Sequence, residues 1–169
     1  MNWKRKNSVI KEPIIDYLEK IIEEELAKGY ILKVSIGTDS QKISRGLYKF
    51  ATVILITTTE DLGGGVIVGR GGIIVSRTFN HDFKARDREL VNERMVFEVG
   101  KSVEVAYEVA PLFDLYEIKL EIHADINPNP EHDSNKALQQ AVGYILGMGY
   151  DFKIKPEAFA ASTAADHKC

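Results

Sequence analysis

The 169-residue chain predicts one mixed α/β sheet with helices on both faces. Three observations predict it. An N-terminal apolar pattern at helical spacing leads into three runs rich in β-branched residues, parted by short turn signals. A long helical pattern follows. After it, strand patterns alternate with helical ones, and strands separated by helices join as parallel neighbours through right-handed crossovers.

The elements follow in order. Ile14, Ile15, Leu18, Ile21, Ile22 and Leu26 recur at helical spacing, so residues 12–28 form an amphipathic helix; Pro13 suits its first turn and Gly29 its stop. Strands are expected over 30–38, 47–58 and 66–79, the second reading FATVILITTT. Gly63, Gly64 and Gly65 read as the hairpin turn between the second and third, since no Lys-Ser/Thr or helix follows to make a phosphate loop. Gly69, Gly71 and Gly72 mark a bulge or bend. A long helix covers 85–110 and ends before Pro111. A strand at 117–124 ends on Asp125, and the loop INPNPEHD leads to a helix over 135–146 capped by Asp133 or Ser134. The short strand DFKIK and a last helix over 158–168 complete the order. The first three strands form an antiparallel meander.

The bulk numbers narrow the function. A hydrophobic fraction of 44% and a charged fraction of 28% are those of an ordinary globular domain. The net charge of −3 leaves no overall basic footprint, so nucleic-acid contact must come from a local patch. Cys169 is the single cysteine, which excludes an internal disulfide and suits a reducing compartment. The start MNWKRKNSVIKEP lacks the apolar core of a secretory signal, and no apolar stretch approaches bilayer length. A cytoplasmic protein without membrane contact is expected.

Two strands end alike: VSIGTDSQ on Asp39 and LEIHADINP on Asp125, each a lone carboxylate after an apolar run. Asp39 by itself either starts a turn or is held at a sheet edge to bind a ligand. If the two strands are parallel neighbours, both carboxylates emerge at the carboxyl edge, where open α/β sheets bind ligands. Two carboxylates meeting there repel unless a cation or a proton lies between them. Oxygen ligands without cysteine suit Mg²⁺ or Mn²⁺ better than zinc. On the long helix, Val91, Met95, Glu98, Ser102, Val105 and Val109 form one stripe. Glu98 interrupts it; it either needs a buried partner or sits at the boundary and reaches water. Glu93 and Glu89 are alternatives off that stripe. Asp166, in ASTAADHKC, follows small residues that permit close approach, with His167 beside it; both also read as an exposed terminal pair.

The segments GTDSQ, HADINPNPEHDSNKALQQAVGYILGMGYDFKIKP and AFAASTAADHK are similar to the YkuK-type family of ribonuclease-H-like proteins. The likeness spans most of the chain from about residue 30. It implies a ribonuclease H-like five-stranded mixed sheet over 30–169, three antiparallel strands then two parallel, with helices on both faces. Residues 1–29 then form an N-terminal helical extension packed on that domain. In the wider superfamily, an Asp on the first strand, a Glu on the first helix, an Asp ending the fourth strand and an Asp near the last helix bind two divalent ions. Asp39, Asp125 and Asp166 match the three Asp positions, and Glu98 is the best match for the helix Glu, with Glu93 still open. The chain departs from the family pattern at Asn127, where a Gly is expected, and in the proline-bearing loop 128–133.

The resemblance implies a Mg- or Mn-dependent nuclease or phosphodiesterase that cleaves RNA, an RNA/DNA hybrid or structured DNA. Asp39, Glu98, Asp125 and Asp166 would be its catalytic and metal-holding residues. Ser40, Gln41, Lys136 and His167 are the candidate substrate contacts, Lys136 with help from a helix N-terminus. Lys42, Arg45, Lys153 and Lys155 are further candidates or plain surface charges. His123, two residues before Asp125, shares its strand face and either supports the site or packs as a hydrogen-bonded core histidine. A binding module that holds a cation or nucleotide without cleaving anything is the alternative from a different class, and a scaffold with vestigial acids is the third.

Overall fold

The structure is a computed structural model that describes residues 2–84, 88–125, 142–143, 145–147, 149–155, 157–158, 160–165 and 168. In chain order the elements are β1 (Lys4–Arg5), β2 (Ser8–Val9), α1 (Ile14–Ala27), β3 (Ile31–Lys42), β4 (Leu47–Asp61), β5 (Ile67–Asp82), α2 (Arg88–Leu115), β6 (Leu120–His123), β7 (Asp151–Lys153) and a short π-type helix, α3 (Ala160–Ala165). The strands form one sheet in the order β2-β1-β5-β4-β3-β6-β7. Strands β3, β4 and β5 are the expected antiparallel meander, and β6 and β7 join parallel to β3 and to each other.

The sheet has seven strands rather than five. The two extra ones lie in the basic N-terminal segment: β1 pairs with β2 and with the outer edge of β5. Each is two residues long, too short to show a periodicity. What holds them is tertiary. Trp3 is buried beneath the Arg77 guanidinium, 4.9 Å from its ring centre, and the Ile10 amide donates to the Trp3 carbonyl at 2.9 Å.

Helix α1 buries Ile14, Leu18, Ile21 and Ile22, the apolar stripe of the sequence, and Gly29 ends it with φ 81°. The β4–β5 hairpin turns through Gly63, Gly64 and Gly65, all with positive φ. Its register shifts between Thr58 and Thr59, which face Gly71 and Gly69 with Arg70 as the extra residue, so the expected bulge is present. Helix α2 does not stop before Pro111 but runs to Leu115. Proline removes a hydrogen bond and crowds the preceding turn. Beyond it, though, Leu112 and Phe113 are buried, and that apolar contact holds the extra turn. Of the helix expected over 135–146, the described residues 142–143 and 145–146 are helical and Ile145 is fully buried; the remainder lies outside the described residues.

Both sheet faces are covered. One core cluster joins α1 and α2 to Val34, Ile36, Ile54, Ile56 and Ile122. A smaller one sets Val53 and Leu55 against Ala160, Ala164 and Ala165 of α3. Strand β3 is therefore buried nearly throughout rather than alternately. No helix among the described residues is long and apolar enough to cross a membrane.

Candidate carboxylate site

Strands β3 and β6 run parallel with Gly37 beside His123. Asp125 lies two residues further along, just past the end of β6. Asp39, two residues past Gly37, does not end its strand as expected: β3 continues to Lys42, with Asp39 paired to Ala51. The two carboxylates therefore sit toward the same end of the sheet. Successive residues of a strand point to opposite faces. Accordingly Asp39 lies toward α3, whereas Thr38 and Ser40 reach across to α2. The Ser102 hydroxyl donates to Thr38 Oγ1 at 2.9 Å, and Thr38 and Thr52 hydroxyls meet at 3.0 Å.

Ser40 meets Glu98. Its hydroxyl donates to Glu98 Oε1 at 2.5 Å, and Arg94, one helical turn before Glu98, lies 3.4 Å from the same oxygen. Arg94 Nη1 also donates to the Ser40 hydroxyl at 3.0 Å and to its carbonyl at 3.3 Å. Glu98 is 6% exposed, whereas Glu93 faces solvent, which settles which carboxyl α2 turns inward. Burial pushes the Glu98 carboxyl up to about 8; Arg94 and Ser40 oppose the rise, and the charges of Asp39 and Asp125 add to it. Below that value it holds a proton. On the same stripe Met95, Ser102, Val105 and Val109 are buried, while Val91 at 41% exposure is not.

Asp125 pairs with Lys155 at 2.8 Å, but its Oδ1 is buried and accepts no hydrogen bond of good geometry. The contact is charge attraction without alignment. Asp39 accepts the Ser40 amide at 2.8 Å.

His123 is a packed histidine rather than an exposed one. Its Nδ1 accepts the Ala160 amide at 3.2 Å and its Nε2 faces Glu121 Oε2 at 3.3 Å. An Nδ1 that accepts from an amide carries no proton, so the neutral ring holds its proton on Nε2. Burial lowers its pKa, against the pull of Glu121. Burial alone would raise the Glu121 carboxyl, but Lys33 at 2.8 Å and His123 hold it below its usual range.

Of the residues expected from the sequence, Asp39 and Asp125 lie toward one end of the sheet, Asp39 on the α3 face. Glu98 is bonded to Ser40 on the α2 face, near enough for the charges of both aspartates to act on it. Gln41 is exposed near the end of β3, and Lys42 and Arg45 are exposed nearby. Lys153 pairs with Glu157 at 2.8 Å. Asp166, His167 and Lys136 lie outside the described residues. Sequence reasoning missed Arg94 and the Thr38–Ser102 link, although the four-residue step from Arg94 to Glu98 was a usable signal.

The donors at this edge are carboxylate oxygens, and one of them, Asp125 Oδ1, is buried without a hydrogen bond. That chemistry fits a hard divalent cation. Among the described residues, however, no three Asp, Glu, His or Cys side chains stand close enough to hold a metal ion as a group.

A family model described as ribonuclease H-like matches residues 13–169. An uncharacterized protein of Bacillus subtilis (strain 168), YkuK, is 24% identical over 168 residues, covering 92% of this chain and 88% of its own. No solved structure gives a significant match.

Proposed function

Because the chain belongs to the ribonuclease H-like family, we propose that it is a divalent-ion-dependent nuclease or phosphodiesterase acting on nucleic acid at the Asp39–Glu98–Asp125 edge. One observation supports this reading: Asp39 on β3 and Asp125 just past β6 lie toward the same end of adjacent parallel strands, and the charges of both add to the rise of the buried Glu98 carboxyl on α2. Such a set is stable only with a proton or a cation among its members.

Asp39, Glu98 and Asp125, with Asp166 as the fourth, would hold two Mg or Mn ions. When bound, such ions polarise the phosphodiester and neutralise charge on the departing oxygen. The chain's own residues do the rest. Ser40 and Arg94 orient Glu98, which would give up its proton if a cation took its place. Lys155 balances Asp125. Gln41, exposed beside Asp39, can hydrogen-bond a phosphate or a ribose, with His167 and Lys136 as further contacts.

The pairing of the carboxyls within the protein supports a second reading, a cation- or nucleotide-binding module without catalysis: Glu98 is tethered by Ser40 and Arg94, and Asp125 is matched by Lys155. The test is a Mg²⁺ or Mn²⁺ titration of wild type and Asp125→Asn on labelled RNA, RNA/DNA hybrid and branched DNA. Cleavage by wild type that the variant lacks supports the nuclease. Ion binding without cleavage of any substrate supports the module, and a wild type that binds no divalent ion refutes the nuclease and the cation site alike.

A further inference from the structure

On the α3 face, toward the outer strands of the sheet, four lysines come together around one pocket. Lys4, Lys6, Lys49 and Lys168 line a depression of about 280 Å³ with the hydroxyl-bearing Ser76 and Thr78, and no carboxylate is among its described lining residues. The lysines come from β1, the turn after it, β4 and the C-terminal end of the chain. Gathering like charges costs free energy, and the chain as a whole carries −3, so this concentration of cations is local rather than compositional.

The backbone gives an independent sign. Lys6 opens the two-residue turn between Arg5 and Ser8 with φ 54°, a region where a Cβ is crowded and glycine is at ease. Among the described residues, only Lys6 and Glu117 take positive φ without being glycine. A lysine held in a disfavoured conformation among the residues that line the pocket points to a use for it there.

The register relates the pocket to the carboxylates. Thr78 pairs with Ala51, and Ala51 pairs with Asp39; Ser76 pairs with Val53 on one side and with Lys4 on the other. Paired residues share a face, so Thr78 and Asp39 lie in one cross-strand row, two strands or roughly 10 Å apart. Pocket and Asp39 thus share one face and one end of the sheet.

We infer that this lysine pocket binds backbone phosphates of a nucleic-acid strand that crosses the sheet face toward Asp39. The carboxylate end of that path rests on the nuclease reading above. Lysines act on phosphate as point charges and the hydroxyls add hydrogen bonds, neither of which reads a base. A ligand that reaches both places must carry repeated phosphates, which favours a strand over a single nucleotide.

The test is fluorescence anisotropy with labelled single-stranded RNA and DNA of about twelve nucleotides, in EDTA, over a salt series. Lys6→Gly relaxes the turn and removes one charge; Lys4→Gln added to it removes a second. The single variant should fold at least as stably as wild type yet bind less. The double variant should lose about 1.4 from the slope of log affinity against log salt, and roughly tenfold in affinity near 0.15 M salt. Unchanged affinity and slope in the double variant overturn the inference. So does a wild type that binds no oligonucleotide, or full displacement of the strand by equimolar inorganic phosphate or mononucleotide, which assigns a free-anion site. Asp125→Asn separates the two readings. Lysine variants that bind weakly while wild type cleaves nothing uphold the pocket and refute the nuclease; cleavage lost in Asp125→Asn with unchanged lysine variants does the reverse.

Discussion

Glu98→Gln removes a titratable proton while keeping the side chain's shape and an oxygen to accept from Ser40. The folded carboxyl titrates at about 8 against an ordinary value of 4.5. Between these values the folded chain holds a proton that the unfolded chain has lost. The stability it contributes is therefore complete below pH 4.5 and drains away as pH rises through about 8. Each decade is worth ~1.4 kcal/mol, so the whole interval sets a ceiling of about 5 kcal/mol, of which about 2 kcal/mol falls above pH 6.5. His123 and Glu121 work in the opposite sense. Their lowered values contribute stability that is present above 6.5 and 4.5 respectively and lost as pH falls, so the upper window isolates Glu98. Urea unfolding followed by circular dichroism, in EDTA, from about pH 6.5 to 9 is the assay. Wild type should lose about 2 kcal/mol more than Glu98→Gln across that range. Parallel curves would refute the assignment of a buried, protonated Glu98.

Three further outcomes follow from the same geometry. Ser40→Ala leaves the buried Glu98 Oε1 with Arg94 alone, and should cost about 1–3 kcal/mol in urea unfolding. Pro111→Ala restores a backbone donor inside α2 and should raise stability by up to about 3 kcal/mol; no gain would mean that the helix had already absorbed the proline. Mn²⁺ binding near pH 7 should release the Glu98 proton, so calorimetric enthalpies should depend on the buffer's ionisation heat in wild type but not in Glu98→Gln.

The parts of this fold that were legible in the sequence are those set by local pattern. The apolar stripe from Ile14 to Ile22 marked α1, since a helical period needs no partner to be visible. Gly63 to Gly65 marked the β4–β5 turn because positive φ has few other tenants. Asp39 and Asp125 stood out because each follows an apolar run, and the parallel pairing of β3 with β6 then aligned them.

What the tertiary structure decided is whatever depends on a partner distant in the chain. The rotation of α2 against β3 turned Glu98 inward and Glu93 to solvent, and the alternation of β3 put Ser40 on the α2 face as a ligand of Glu98 while Asp39 faces α3. Pro111 predicted a helix end by its own chemistry, but burial of Leu112 and Phe113 outweighed it. Strands β1 and β2 exist because β5 offers an edge and Arg77 a cover for Trp3. The lysine pocket likewise has no signature in sequence, because charges at positions 4, 6, 49 and 168 become neighbours only when the sheet closes around them. Local chemistry determines which residues can form an element; only packing determines which of their faces meet.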